Sequence, residues 1–507
     1  MTDQPVSKYW LDLAAEAIGQ QFPTGDIVIS SGISPSASYH IGHFREILTA
    51  DALAWALRQA GRKVRHLHVV DNFDPLRKRY DFLPPEFENY VGQPICLIPD
   101  PIGDCHPTYA EHFFQEFIGY ARTMGITEIE IIHSYEDLYK SGRMAKRIEQ
   151  VLSQADQVRT IFTQTNRSLP PDWTPVQVMD ENNIFSNADA KDWDQKQQTI
   201  AGVPYDAGRV KLNWRLDWPA RWAELGVMVE PFSAQEHGAA GGSYDTGVEF
   251  ARQIFDITPP IPGARYANIH LIGDTKKMSS SKGNLITPKE ALEVMPPEIL
   301  RYFVVRSRPE RTLYFDPGLG LFKLIDEFSQ IQSGQNQEFK EAYQFAVGVQ
   351  TEQVITSVPF NHLVTAYQTT SGNKTEILAI LARSGWQPSA AEGKVIDKEL
   401  AYVKNWLAKY APAEVKFEVQ AKLPKVNLTE PQKAFLAKLA DRIADQKQPD
   451  AQAIHDAIYE AKGELAPVEA FQTLYQVILG QDHGPRAGWF LASLEHDWLL
   501  KRLRLEA

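Results

Sequence analysis

Short apolar runs alternate with amphipathic stretches of helical period through the first half of the chain. The run Ile27–Ile29 leads into the turn-rich segment Ser30–Ser38, and a helical pattern that begins near His40 ends at Gly61. Four later apolar runs have the length of buried strands: Leu67–Val70, Ile129–Ile132, Val227–Val229 and Ile269–Ile272. This order predicts an α/β fold in which all these strands share one parallel, doubly wound sheet.

Two stretches, at about 75–125 and 155–205, do not follow this rhythm. Both are rich in Pro, Asp and Asn, which predicts insertions at the edge of the sheet. Beyond about residue 320 the pattern becomes helical, with apolar faces such as Phe435, Leu439 and Ile443. We therefore expect three segments: a sheet domain over 1–285, a connecting region over 286–345 and an all-helical domain over 346–507.

Composition narrows the class of protein. The chain has 507 residues, 43% of them hydrophobic, so it can bury a core without disulfides, and its two cysteines indicate a reducing cytoplasm. It has no apolar run long enough to span a bilayer, so we expect no membrane partner. The net charge of −12 excludes a protein that coats DNA or RNA through bulk charge. Local basic patches remain for RNA phosphates: Arg77–Arg79, Arg301–Arg311 and Lys501–Arg504. We expect a monomer that does not bind DNA.

A pair of histidines lies where the first predicted strand gives way to the first helix. Ligands bind at this place in open parallel sheets, because the helix N-terminus offers unpaired N–H groups to phosphate. His40 and His43 are three residues apart, so both can face the same side and donate hydrogen bonds to phosphate oxygens. Gly42 between them would let a ligand approach the backbone. A pair of capping or packed histidines is the alternative.

A second motif, Lys277–Asn284, follows the apolar run Ile269–Ile272. Its lysines can neutralise phosphate charge, and the hydroxyl groups between them can donate hydrogen bonds to phosphate oxygens. Small hydroxyl residues that end in Gly-Asn are typical of a mobile clamp. Taken alone, the segment could equally be a flexible surface loop.

The two motifs together resemble the signature sequences of class I aminoacyl-tRNA synthetases, His-Ile-Gly-His and Lys-Met-Ser-Lys-Ser. Their order, their separation of about 235 residues and their positions after strands are similar. The resemblance implies a Rossmann-type catalytic domain that uses ATP and Mg²⁺ to activate an amino acid. It assigns the catalytic roles to four residues: His40, His43, Lys277 and Lys282. Ser280 stands where the family has its second lysine, and Ala37 replaces a glycine that is common before the first motif.

Several stretches look specifically like class I lysyl-tRNA synthetases: Ser31–Glu46, Asp71–Lys78, Trp214–Trp222, Gly241–Asp245 and His483–Arg486. The resemblance implies an amino-acid pocket formed by Gly32, Ser34, Asp71, Asp74, Trp214, Trp218 and His237. Carboxylates and aromatic faces suit a substrate with two ammonium groups. It likewise implies ATP contacts from Gly42, Gly241, Gly242, Asp245, His270, Met278, Ser279, Ser280 and Ser281. For the tryptophans, packing in the core is the alternative; for the two aspartates it is loop capping.

The first insertion contains the ligand types that zinc prefers, at Asp100, Cys105, His106 and His112. Some archaeal relatives are similar here and carry zinc at this place, which implies a structural zinc ion. The alternative is a group of exposed polar residues with an idle thiol.

The resemblance implies a reaction in two steps. Lysine and ATP give lysyl-adenylate, and the lysyl group then passes to the 2′-hydroxyl of the terminal adenosine of tRNA(Lys). Residues 286–345 would lie along the acceptor stem and 346–507 would read the anticodon. Three alternatives remain: a glutamyl- or glutaminyl-tRNA synthetase, a nucleotidyltransferase for a small molecule, and a catalytically silent tRNA-binding regulatory protein.

Overall fold

The computed structural model describes residues 9–165, 168–169, 173–273, 278, 285–348, 353–446 and 449–506. The chain forms two compact units. The first comprises Met1–Lys289, Leu300–Phe315 and Glu341–Gly348. The second comprises Glu290–Ile299, Asp316–Lys340 and Val349–Ala507. The predicted connecting region 286–345 therefore contributes to both units.

A parallel sheet forms the centre of the first unit. Its strands β1 (Ile27–Ile33), β2 (Val64–Val70) and β3 (Glu130–His133) pair in that order. On the other side of β1, Val229 forms a parallel bridge with Ile29, and Ile261 pairs in turn with Val229. β2 and β3 therefore lie on one side of β1, and the chain returns later to the other side of β1 at Val229. The gap outside the carboxyl end of β1 is the switch point at which such sheets bind ligands.

The expectation that Ile269–Ile272 belongs to this sheet is wrong. Those residues form β12 (Ile269–Leu271), which pairs with β13 (Leu313–Phe315) in a separate two-stranded parallel sheet. Pro260 and Pro262 flank Ile261 and lack the N–H that a ladder needs, so pairing beyond Val229 is limited to one bridge.

The remaining strands are short: β4 (Val176–Met179), β5 (Phe185–Ala188), β6 (Trp193–Asp194), β7 (Thr199–Ile200), β8 (Val203–Pro204), β9 (Val210–Leu212), β10 (Phe232–Ser233) and β11 (Arg265–Tyr266). Antiparallel sheets of order β5-β4-β9 and β6-β7-β8 occupy most of the second predicted insertion. The sheet β10-β11 is parallel.

The α-helices between residues 10 and 347 are α1 (Trp10–Gln21), α2 (Phe44–Gln59), α3 (Tyr109–Thr123), α4 (Ala145–Ser153), α5 (Ala155–Gln164), α6 (Trp214–Leu225), α7 (Ala234–His237), α8 (Ser243–Gln253), α9 (Pro288–Leu292), α10 (Pro297–Val305), α11 (Leu319–Gln332) and α12 (Lys340–Val347). The stretch 75–125, which we interpret from the sequence as an insertion outside the strand–helix rhythm, contains the helix α3. Thr108 caps this helix by accepting a hydrogen bond from the N–H of Glu111, and Tyr109, Phe113 and Phe117 recur at i,i+4 on its buried face.

The later helices are α13 (Phe360–Thr369), α14 (Lys374–Arg383), α15 (Glu392–Lys409), α16 (Glu430–Ala444), α17 (Ala451–Ala461), α18 (Pro467–Leu479), α19 (Ala487–Ser493) and α20 (His496–Leu503). Every described element after β13 is helical. Phe435, Leu439 and Ile443 lie in the buried core of the last five helices. None of the helices in the described part of the chain is both long and apolar enough to cross a membrane.

Candidate active site

The paired histidines begin the first long helix of the sheet unit. His40 precedes a single 3₁₀ turn, Ile41–His43, which continues into α2. The Nδ1 atom of His40 accepts a hydrogen bond from the N–H of Gly42 at 3.1 Å, and the Nδ1 atom of His43 accepts one from the N–H of His40 at 3.1 Å. In each neutral ring the proton must then sit on Nε2. Both imidazoles are therefore fixed by the backbone as Nε2–H donors.

Gly42 makes room for an imidazole in this turn. A Cβ atom at Gly42 would lie 2.7 Å from Nδ1 of His40, so any side chain there would displace that ring. The structure thus gives a different reason for the glycine from the expected approach of a ligand to the backbone. The rings of His40 and His43 lie against each other, with centroids 3.8 Å apart and planes tilted by 32°.

A cavity of about 440 Å³ opens beside the two histidines. His40, Gly42 and His43 line it together with Met278, the one described residue of the second motif, which is buried. Met278 therefore reaches the same cavity as the first motif, although the two are distant in sequence. The remaining catalytic and ATP-binding candidates of that motif lie outside the described residues: Lys277, Ser279, Ser280, Ser281 and Lys282.

A second cavity, of about 230 Å³, adjoins the first. The two share the same wall, formed by Gly32, Ile33, Ser34, Glu46 and His237. Six of the seven residues expected to bind the amino acid line the smaller cavity: Gly32, Ser34, Asp71, Trp214, Trp218 and His237.

Glu230 is a buried carboxylate in the smaller cavity, and it is surrounded by indole rings. It accepts hydrogen bonds from Nε1 of Trp218 at 3.1 Å, from Nε1 of Trp222 and from Oγ of Ser30 at 3.2 Å. The ring centroids of Trp218 and Trp222 lie 4.9 Å apart, and the ring centroid of His237 lies 5.2 Å from that of Trp218. Burial raises the pKa of Glu230, and the two indole N–H groups oppose that rise. The arrangement suits a cation, because it combines one carboxylate with aromatic faces.

Asp71 and Asp74 have different partners although they are neighbours in sequence. Asp71 faces the cavity and accepts a hydrogen bond from Nη2 of Arg221 at 3.1 Å. Asp74 pairs with the buried ammonium of Lys211 and lines neither cavity. Arg221 also pairs with Asp217 at 2.9 Å, so three carboxylates face two cations. Burial raises the pKa of Asp71, and Arg221 opposes this rise.

Glu46 stands in the wall between the cavities, one turn beyond His43 along α2. Its Oε1 atom accepts a hydrogen bond from the N–H of Gly32 at 2.7 Å, and its Oε2 atom accepts one from the hydroxyl of Tyr266 at 2.7 Å. Burial raises the pKa of Glu46 to about 7, against the effect of these two donors. The carboxyl group is therefore poised to change charge near neutral pH.

A separate cluster of ligand atoms lies at the start of α3. One ligand atom from each of Asp100, Cys105, His106 and His112 lies within 4.8 Å of all the others. The Sγ atom of Cys105 is 3.2 Å from Oδ2 of Asp100, 3.0 Å from Nδ1 of His106 and 3.3 Å from Nδ1 of His112. Bonds of about 2.0–2.3 Å to a tetrahedral zinc ion put its ligand atoms roughly 3.3–3.8 Å apart. The four donors are of the types that such an ion binds, and their spacings, from 3.0 Å to at most 4.8 Å, extend on both sides of this range.

Comparison with known proteins identifies the family. The sequence profile described as "tRNA synthetases class I (K)" matches residues 8–351, which is more than half of the chain. The chain is 38% identical to the lysine–tRNA ligase of Archaeoglobus fulgidus, over 98% of this chain and 99% of that protein. The chain belongs to the class I lysyl-tRNA synthetases.

Other members of the family also match this chain over nearly the full length of both proteins. Lysine–tRNA ligase 1 of Methanosarcina acetivorans is 36% identical over 98% of both proteins, and the lysine–tRNA ligase of Thermococcus kodakarensis is 34% identical over 98% of this chain and 99% of its own. Among solved structures, a glutamate tRNA ligase from Elizabethkingia meningosepticum is similar over 94% of this chain and 98% of its own, at 14% identity and a TM-score of 0.40. The family profile and the lysine–tRNA ligases do not favour the glutamyl and glutaminyl alternatives.

Some of the site residues expected from the family resemblance are not at these cavities. Four described residues expected to contact ATP line neither cavity: Gly241, Gly242, Asp245 and His270. The N–H of Gly241 instead donates to Oδ2 of Asp245 at 3.0 Å, in the turn that leads into α8. The ring of His270 faces Tyr314, with centroids 5.8 Å apart.

Two carboxylates of the site were not predicted, although the sequence contained a signal for each. Glu230 directly follows the apolar run Val227–Val229, and residues at the carboxyl ends of parallel strands line the ligand site. Glu46 is three residues beyond His43, so it lies on the same face of the helix. Both positions could therefore have been singled out before the structure was known.

Proposed function

We propose that the chain ligates lysine to tRNA(Lys) in the cytoplasm, by way of lysyl-adenylate. The observation that carries this is the pair of adjoining cavities: one begins at two imidazole donors, and the other ends at Glu230 and its tryptophans. A lysine molecule that bridges the shared wall would bring its carboxylate to the larger cavity and its side chain to the smaller one.

In the first step a carboxylate oxygen of lysine attacks the α-phosphorus of ATP. The bond from that phosphorus to the bridging oxygen breaks, and pyrophosphate leaves. When bound, Mg²⁺ would supply positive charge to the departing pyrophosphate. His40 and His43 donate Nε2–H groups to the α-phosphate as negative charge builds up there. Lys277, Lys282 and Ser279–Ser281 would hold the β- and γ-phosphates. No side chain forms a covalent bond, so positioning and electrostatics provide the rate.

In the second step the 2′-hydroxyl of the terminal adenosine of tRNA attacks the lysyl carbonyl carbon, and AMP leaves. The hydroxyl proton passes to the departing phosphate. The helical second unit would bind the anticodon through unpaired bases.

The ε-ammonium of lysine would bind Glu230. Trp218 and Trp222 enclose the same space, so their faces would cover the aliphatic chain and attract the cation. Glu230 accepts its hydrogen bonds from neutral donors, and the ammonium would add a direct pair with an opposite charge.

The α-ammonium of lysine would bind Glu46. The α-carbon must lie near the shared wall, because the attached carboxylate has to reach the α-phosphate. Glu46 is the carboxylate in that wall, and Gly32 and Tyr266 hold it in place. Two carboxylates would thus bind the two ammonium groups of lysine.

The pH dependence of lysine activation tests the role of Glu46. Because burial raises its pKa to about 7, the carboxyl group is mainly ionised above this value and mainly neutral below it. We expect kcat/KM for lysine in pyrophosphate exchange to fall below about pH 7, by nearly tenfold per pH unit, and to level off above about pH 8. In E46Q the value should be low and the inflection absent. A wild-type profile without this inflection would contradict the role.

Pyrophosphate exchange with each amino acid in turn, measured both with and without tRNA(Lys), tests the proposed function. Lysine alone should support exchange. Exchange with glutamate or glutamine would favour the corresponding synthetase. A chain that binds tRNA(Lys) but exchanges no pyrophosphate with any amino acid would be the regulatory protein.

We also propose a structural zinc ion at Asp100, Cys105, His106 and His112. The ion would fix the segment from Asp100 to His106 to the first turn of α3 and supply no chemistry to the reaction. Tyr109 of the same turn donates a hydrogen bond to the carbonyl oxygen of Ser36, which lines the larger cavity, so this turn also supports the ATP site.

Replacing Cys105 tests the zinc proposal through metal content. The wild-type protein should retain about one zinc per chain after dialysis, and C105S should retain almost none and melt at a lower temperature. Zinc is measured by mass spectrometry of the purified protein. Cys96 is the matched control, since it is buried and lies outside the cluster, and C96A should keep its zinc. Equal zinc in C105S and C96A would refute the site.

A further inference from the structure

An exposed strip of aromatic and basic side chains follows β2 in the first insertion. We call Lys78, Tyr80 and Phe82 the aromatic face. The rings of Tyr80 and Phe82 are nearly parallel, with centroids 5.7 Å apart and planes 7° apart. The ammonium of Lys78 lies over the Tyr80 ring at 5.4 Å. The three side chains, at alternate positions, therefore stack along one side of the segment.

Lys78 and Phe82 of the aromatic face are exposed, and Tyr80 is half-buried. Arg77 beside the face lies close enough to Asp74 to interact with its charge. Phe82 is 48% exposed, which is unusual for a phenylalanine in a folded protein. Arg77 and Lys78 form no ion pair within the described ranges of the chain, whereas Arg79 pairs with Glu88 at 3.6 Å. Stacked rings beside unpaired cations are the features that bind single-stranded nucleic acid, through base stacking and phosphate contacts.

Packing connects the aromatic face to the ATP cavity. The edge of Phe82 meets Phe113 of α3 with centroids 6.0 Å apart, and Phe113 meets Tyr109 at 5.0 Å. The hydroxyl of Tyr109 donates to the carbonyl oxygen of Ser36 at 2.6 Å, and Ser36 lines the larger cavity. The distance between the aromatic face and the smaller cavity is also limited by the length of the chain. Arg77 is only six residues beyond Asp71, which lines that cavity, and therefore lies within about 22 Å of it.

We propose that the aromatic face binds the unpaired 3′ nucleotides of tRNA and guides the terminal adenosine to the adenylate. Bases would stack on Phe82 and Tyr80, and Arg77 and Lys78 would contact phosphates. This inference rests on the proposed ligase function, since only that function brings an RNA end to the cavity. It gives the insertion between β2 and β3 a role in substrate binding.

Binding of two tRNA transcripts tests the aromatic face. One is intact tRNA(Lys), and the other lacks its unpaired 3′ nucleotides. F82L keeps the apolar contact with Phe113 but removes the ring, and K78A removes the exposed charge. Each should weaken binding of the intact transcript by about tenfold and leave binding of the truncated transcript unchanged. At a saturating concentration of the intact transcript, lysine-dependent pyrophosphate exchange should stay at the wild-type rate.

The matched control is Y459L on α17, because Tyr459 is a similarly exposed aromatic residue at 44%. It should leave the ratio of the two Kd values unchanged. Equal weakening of both transcripts by F82L and K78A, or no weakening of either, would overturn the proposal. Failure of the wild-type protein to exchange pyrophosphate with lysine would instead refute the ligase function, so the two failures are distinguishable.

Discussion

Replacing His43 by alanine is expected to slow lysine-dependent pyrophosphate exchange by about 10²–10³-fold, mainly in kcat. The Nδ1 atom of His43 accepts a hydrogen bond from the N–H of His40, so Nε2–H is the donor that we expect to contact the α-phosphate. A donor that meets charge formed only in the transition state contributes about 2.7–4 kcal/mol to catalysis. The measurement is exchange at saturating lysine and ATP.

A second substitution separates this role from capping. In H43N the side-chain oxygen can still accept the hydrogen bond from the N–H of His40, but the shorter side chain has no donor at the place of Nε2. We expect H43N to be as slow as H43A, while H455A on α17 exchanges at the wild-type rate. If H43N exchanges pyrophosphate almost normally, His43 is a capping residue and the catalytic assignment fails.

Local features of the fold could be predicted from the sequence because neighbours in the chain determine them. The strand Ile27–Ile33, the turn after it and the helix that begins beyond His40 follow from apolar period and capping chemistry. α3 was missed because the Pro- and Asp-rich segment before it masked a regular i,i+4 series of aromatic residues. A segment rich in Pro and Asp can thus obscure the helical period of the residues that follow it.

Pairing between distant segments could not be predicted in the same way. Asp71 and Asp74 are equivalent in the sequence, and only Lys211, 137 residues away, removes Asp74 from the pocket. β12 has the composition of a strand in the main sheet, but its partner β13 is determined by the path of the chain after the prolines around Ile261. In both cases the residues themselves can be read from the sequence, whereas the distant segment with which each of them pairs cannot.

Replacing Glu230 by glutamine is expected to raise the KM for lysine about 100-fold or more and to change kcat much less. The substitution keeps the size of the side chain and an oxygen for the indole donors, but removes the charge that would bind the ε-ammonium. A buried ammonium that loses its carboxylate costs about 3–5 kcal/mol. Steady-state exchange at varied lysine and saturating ATP gives both constants, and the KM for ATP should stay within about twofold.

A substrate without the ε-ammonium distinguishes charge recognition from support of the tryptophans. Norleucine has the carbon chain of lysine and no terminal charge, so the wild-type enzyme should use it poorly. E230Q should use it no worse than the wild type, because no ion pair is lost. If E230Q loses as much with norleucine as with lysine, Glu230 serves to hold Trp218 and Trp222 in place. The ε-ammonium would then have to bind Asp71, the other carboxylate that lines only the smaller cavity.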